Sequence, residues 1–179
     1  MSESNQWVID ASHSNASFTV RHMMITNVRG EFPKLEGKVT YDPSAPEKTT
    51  IEASAEVSSI NTREAGRDTH LKSADFFDAE KFPLITFKSK SVKAKSKEDL
   101  AVTGDLTIHG VTKEVVLEVE GLSGPSADPF GNTRLGATAT TKIKRDDFGM
   151  VWNGVLEAGG VLVGNDVKIT IDISLIKQK

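Results

Sequence analysis

Residues that alternate one by one between apolar and polar recur along most of this chain, and they restrict what it can fold into. Val167, Ile169, Ile171, Ile173 and Leu175 are separated by Lys168, Thr170, Asp172 and Ser174. Ile51, Ala53, Ala55 and Val57 oppose Glu52, Ser54 and Glu56 in the same way, and Leu35, Val39 and Tyr41 oppose Glu36, Lys38 and Thr40. A period of two places every apolar side chain on one face of an extended strand. Leu100, Val102, Leu106 and Ile108 share a parity that Gly104 interrupts, which predicts a bulge there. Beyond a tight turn at His109-Gly110, Val115, Leu117 and Val119 alternate with Glu114, Glu118 and Glu120, the pattern of a β-hairpin. Phe18, Val20, His22 and Met24 are expected on an inner face, and Ala137, Ala139, Thr141 and Ile143 face away from Thr138, Thr140, Lys142 and Lys144.

Eight or nine such strands, each polar on one side, must close their apolar faces on one another as a sandwich or a barrel. A sandwich core needs many large side chains. Here aromatics are 6% of the chain, and several inward positions are small: Ala53, Ala55, Ala137, Ala139 and Thr141. Small residues on several inward faces leave room in the middle, which favours a barrel that holds a ligand.

One stretch breaks the pattern. Ile60 to Phe87 carries helical chemistry, with Asn61 as N-cap, Glu64 completing a capping box, and a helix expected from Arg63 to Lys72. Asp68 and Lys72 are spaced as an i,i+4 pair. The adjacent Phe76 and Phe77 follow, then Phe82-Pro83, which ends any helix. A helix and an aromatic cluster crossing an all-β chain suggest a lid over a β cavity.

The 179 residues predict a single domain over 1–179, and a net charge of −3 argues against a nucleic-acid partner. The absence of cysteine excludes disulfides and thiolate metal sites. The first residues, MSESNQWVID, carry no apolar leader, and no run approaches a membrane span, so a cytoplasmic chain is expected, or a periplasmic one if a leader was trimmed. The lysine-rich tract Lys88 to Lys97 reads as a solvated strand and hairpin tip that deters edge pairing, with a transient contact to an anionic membrane as the sharper alternative.

The chemistry-bearing residues are sparse. His13, His22, His70 and His109 form no metal-binding spacing, so neither a metal nor a cofactor is expected. Gly159 to Gly164 lacks the ending of a phosphate loop. Arg63 and Arg67 share a helix face that is either plainly solvated or able to contact an anionic head group at a cavity mouth. Nothing in these residues demands catalysis.

Taken in order, a set of short motifs resembles the YceI-like family of bacterial polyisoprenoid-binding proteins from Trp7 to Ile173. They are Asp10-Ala-Ser-His13-Ser14, Phe18 to Met23, Gly30-Glu-Phe32, Asn61-Thr62, Arg67-Asp68-Thr-His70-Leu71 and Asp75-Phe76-Phe77-Asp78 with Phe82-Pro83. Gly104 to Thr112 and Arg145 to Met150 are the most specific. The resemblance implies an all-β, lipocalin-like extended antiparallel eight-stranded barrel with one helix near its mouth. It also implies non-enzymatic binding, transport or storage of a long-chain isoprenoid, polyprenyl or quinone-like, or a related amphiphilic lipid in an apolar cavity. The ligand-facing candidates are Phe18, Val20, His22, Phe32, Leu71, Phe76, Phe77 and Phe82, with Ile85, Phe87, Leu106, Ile108, Ile143, Phe148, Met150 and Trp152. Two alternatives stand beside this reading: an enzyme acting on such a lipid with His22 or His13 as base, and a stress-associated barrel without a physiological ligand. Edge strands and exposed hairpins would permit a homodimer.

Overall fold

The protein is described by a computed structural model over residues 5–154, 156 and 160–179. The alternating runs form strands: β1 (Gln6–Ile9), β2 (Asn15–His22), β3 (Thr26–Phe32), β4 (Leu35–Thr40) and β5 (Thr50–Glu56) precede helix α1 (Ala65–Lys72). After it come β6 (Leu84–Ala94), β7 (Leu100–Ile108), β8 (Val111–Glu120), the two-residue β9 (Ser126–Ala127), β10 (Thr133–Lys144) and β11 (Val163–Lys177). Every pairing is antiparallel, and β1, β4, β5, β6, β7, β8, β10 and β11 follow one another around a closed ring. The expected eight-stranded barrel is present. Its ring closes where Trp7 of β1 stands opposite Lys177 of β11, while β2 and β3 form a hairpin on the earlier half of β11.

Strand parity sets the inside. Leu100, Val102, Gly104, Leu106 and Ile108 are all buried along β7, and the residues between them are half-buried. The bulge expected at Gly104 lies instead on its partner, between Ser89 and Ser91 of β6. Gly104 has a different task. A Cβ there would stand 2.5 Å from Cζ of Phe87 and 2.5 Å from the Lys88 carbonyl, so the missing side chain is the space that the Phe87 ring occupies.

One seam of the ring is short. β8 and β10 pair only from Glu118–Glu120 to Thr138–Thr140, and beyond that a 3-10 turn, Arg145–Phe148, packs against both strands. It carries Phe148, 1% exposed, into the core beside Met150 and Ile143. Arg145 is itself buried and donates to four carbonyls, those of Gly164, Met150, Trp152 and Val163. A guanidinium has five donors in a rigid fork, enough to hold the segment that leads back to β11.

The helix begins later than expected. Glu64, rather than Asn61, is the N-cap, and its carboxylate accepts from the backbone N–H groups of Gly66 and Arg67. Asn61 is drawn elsewhere: its backbone bridges Glu31 of β3, and its side chain accepts from Arg63 N–H. Arg63 sits at φ 67°, a left-handed geometry that no helix continues through. Asp68 accepts from the Thr62 N–H and hydroxyl, where the i,i+4 spacing had pointed to Lys72. Met24, expected inside, is 58% exposed at the β2–β3 tip because the strand ends at His22.

Candidate functional site

The inward rows enclose an elongated cavity of about 180 Å³. The eight rises from Leu100 to Ile108 measure ~26 Å along the strand at ~3.3 Å each. With a strand tilt near 40° this is roughly 20 Å along the barrel axis. The volume is below that of a pocket for a compact drug-sized ligand, so the hole is narrow for its length.

Its cause is in the cross-strand register. Ala53 of β5 stands between Gly37 of β4 and Phe87 of β6, and Ala55 stands between Leu35 and Ile85. On the far side Gly136, Ala137 and Ala139 of β10 face Ser174, Ile173 and Ile171 of β11. Ala53, Ala55, Gly136, Ala137 and Ala139 all line the cavity, and residues this small cannot fill the distance to the opposite wall. Branched aliphatics complete the lining, among them Val39, Ile51, Leu100, Val102, Leu117, Val119, Ile169, Ile171, Ile173 and Leu175.

The two ends differ. At the end nearer α1, Phe32 lines the cavity, and Phe77 meets it edge to face with ring centres 5.6 Å apart; Phe18 lies 5.6 Å from Phe32 as well. At the other end, where the loops 41–49, 95–99 and 121–132 gather, the lining consists of Tyr41, Thr49, Leu122 and Leu135. Among the described residues no Lys, Arg, His, Asp or Glu contributes to the wall. The Thr49 hydroxyl donates to the Pro46 carbonyl at 2.6 Å, and Ser54 and Thr86 fall on the outward register of β5 and β6.

Of the residues nominated from sequence, Phe32, Ile85, Phe87, Leu106 and Ile108 line the cavity. Phe18, Leu71 and Phe77 pack around Phe32 at its end, and Ile143, Phe148 and Met150 belong to the packed core. Phe76 and Trp152 form a separate aromatic group with His70, at centroid distances of 5.0 Å (His70–Phe76), 4.7 Å (His70–Trp152) and 5.3 Å (Phe76–Trp152). His70 also meets the Asp75 carboxylate at 2.9 Å. Phe82 meets His109 edge to face with ring centres 5.1 Å apart and covers Gly110, whose φ is 72°. Val20 and His22 pair with Val28 and Thr26 in the outer hairpin. Arg67 donates to the hydroxyl and carbonyl of Thr62, and Arg63 is exposed in the preceding loop. His13 is held in its turn by Asp10 at 2.8 Å.

Sequence reasoning omitted most of the actual wall, including Ile9, Val39, Tyr41, Leu135, Ile169 and Ile171. The parity of their strands was the signal that would have found them.

Among the described residues no group of three or more His, Asp or Glu side chains converges as a metal site. No helix of the described residues is long and apolar enough to cross a membrane.

Comparison with known proteins gives a consistent answer. The YceI-like domain family matches residues 7–175. The UPF0312 protein SA2479 of Staphylococcus aureus (strain N315) is 39% identical over 165 residues, covering 90% of this chain and 92% of its own. The Campylobacter jejuni YCEI protein superposes with a TM-score of 0.75 at 30% identity, covering 89% of this chain and 90% of its own. A polyisoprenoid binding domain from Saccharophagus degradans, implicated in plant cell wall breakdown, shares the fold at a TM-score of 0.70 and 15% identity, covering 96% and 98%. The chain belongs to the YceI-like family.

Proposed function

We propose that the barrel binds a long-chain isoprenoid, or a related amphiphilic lipid with a slender tail, and carries or stores it without chemical change. The observation that carries this reading is the cavity: narrow, about 20 Å long by strand geometry, and walled by apolar side chains from all around the ring. Burial of apolar carbon contributes about 0.8 kcal/mol per CH₂. A tail of ten buried carbons would thus supply roughly 8 kcal/mol, the scale of micromolar binding before entropic costs. The polyisoprenoid binding domain of Saccharophagus degradans has the same fold, which supports the ligand class. A catalytic role would need a base beside the ligand, and neither His13 nor His22 lines the wall.

Two measurements test this. Native mass spectrometry with solvent extraction of protein purified from its own host should release a long-chain lipid. Titration with a fluorescent prenyl analogue should show saturable binding that Ala55→Leu and Ala137→Leu weaken, because each fills the hole that the small residue leaves. Wild-type protein that takes up no prenyl analogue, or Leu variants that bind it unchanged, would defeat the proposal.

A further inference from the structure

Tyr41 follows β4 on the inward parity of Leu35 and Val39, and its side chain lines the cavity. Its backbone is fixed at both polar atoms. The Tyr41 N–H donates to the Asn5 carbonyl at 2.9 Å, and the Trp7 indole N–H donates to the Tyr41 carbonyl at 3.2 Å. The residue is 8% exposed, yet its hydroxyl has no hydrogen-bond partner among the described residues. Among the described residues the buried side-chain polar atom without a partner is Asn15 Oδ1, so the Tyr41 hydroxyl keeps accessible surface and an unused donor. Thr49, the other hydroxyl-bearing residue at this end of the wall, already donates to Pro46. At the opposite end Phe32 lines the cavity, with the Phe77 ring edge to face against it. One end of the hole therefore offers a hydrogen bond and the other offers only hydrocarbon.

The charge around Tyr41 narrows the ligand further. Among the described residues nothing in the wall is cationic, so a diphosphate would enter without a counter-charge. The neighbouring Asp42 carboxylate is kept ionised by the Ser44 hydroxyl and N–H, at 2.7 and 2.9 Å. Burial first, and that negative charge second, push the Tyr41 phenol pKa up, so it stays a neutral donor.

We infer that Tyr41 is the head-group subsite of the cavity and selects a neutral oxygen-bearing group, an alcohol or carbonyl, over an anionic phosphate. The tail then points toward Phe32 and the α1 segment. This inference rests on the reading of the barrel as a carrier of a long apolar chain, and it adds the ligand's polarity and orientation.

The test uses three probes that share one branched chain: geranylgeraniol, geranylgeranyl diphosphate and phytane, each competed against a fluorescent farnesyl analogue. Wild-type protein should take the alcohol more tightly than the diphosphate. Tyr41→Phe, which removes one oxygen and keeps the ring, should weaken the alcohol by about three- to tenfold, the worth of one hydrogen bond. Phytane binding should be unchanged, and an unshifted thermal melt would show that the variant folds as before. Equal affinity of both proteins for geranylgeraniol overturns the assignment, as does a wild type that holds the diphosphate as tightly as the alcohol. In both cases phytane binding would leave the cavity reading standing. Failure of all three probes to bind overturns both.

Discussion

At the scale of single residues, the shape of the cavity depends on atoms that are missing. Gly104 is the sharpest case, because its absent side chain receives the Phe87 ring. Gly104→Ala is expected to push that ring toward the axis and to cost about 1–3 kcal/mol, the usual price of overpacking a filled interior. Urea unfolding would give the stability change, and prenyl-analogue binding would report the narrowed hole; a variant with wild-type values in both would sink the argument. A second residue-scale prediction concerns acid. Arg134 Nη1 donates to Asp10 at 2.7 Å, with Ser12 and His13 also on that carboxylate, and Arg134 Nε donates to Asp128 at 2.6 Å. The guanidinium, first among these partners, holds both carboxyls well below the usual carboxylate range. Depressed folded-state values mean that this stabilisation is fully present above the unfolded pKa near 4 and is lost as pH falls below it. Stability should therefore drop from about pH 5 downward. Asp10→Asn should flatten part of that slope, as read by urea titrations at neutral and acidic pH. Identical slopes in wild type and variant would count against the network.

At the scale of elements, Ile60 to Phe87 divides its labour between two neighbouring aromatics. Phe76 is 6% exposed and belongs to the group with His70 and Trp152, whereas Phe77 lies on Phe32 at the end of the cavity. Phe76→Ala is expected to behave as a core deletion, losing roughly 3–5 kcal/mol of stability. Phe77→Ala should raise the off-rate of a bound prenyl analogue, since it removes the ring that meets Phe32 edge to face and leaves Phe18 and Leu71 around it. Stopped-flow release set against unfolding of the ligand-free protein separates the two effects. An unchanged off-rate in Phe77→Ala would make this segment ordinary packing. Legibility from sequence divides along similar lines. Strand identity and the inward rows of Ile51–Val57, Leu100–Ile108 and Val167–Leu175 were open to reading, because a period of two needs no tertiary knowledge. The wall was harder to read. Large aromatics such as Phe76, Phe148 and Trp152 look like ligand contacts, but large side chains fill space, and a hole is bounded by residues too small to fill it. The place of Phe148 depends on β10 leaving β8 beyond the Thr140–Glu118 pair, and no local pattern announces that. The helix start moved for the same reason, since Asn61 is claimed by Glu31, thirty positions earlier in the chain.

At the scale of the whole molecule, β11 is the element on which closure depends. Its fifteen residues pair with β10 along one flank and, on the other, with β2 and then β1. Ring closure thus joins the first strand to the last, Trp7 to Lys177. During synthesis this has a kinetic meaning. Until β11 leaves the ribosome, the strands from β1 to β10 form at most an open sheet, with the backbone of β1 and β10 unpaired along one side and the future cavity wall wet. Contacts of such long sequence separation make for slow folding, and unpaired strand edges invite association with other chains. The outward Lys90 of β6 and Lys95 of the β6–β7 hairpin pair with Glu114 and Glu118 of β8 on the outer face of the middle of the sheet. The exposed edges on either side of it are where a nascent chain of this kind would need a chaperone.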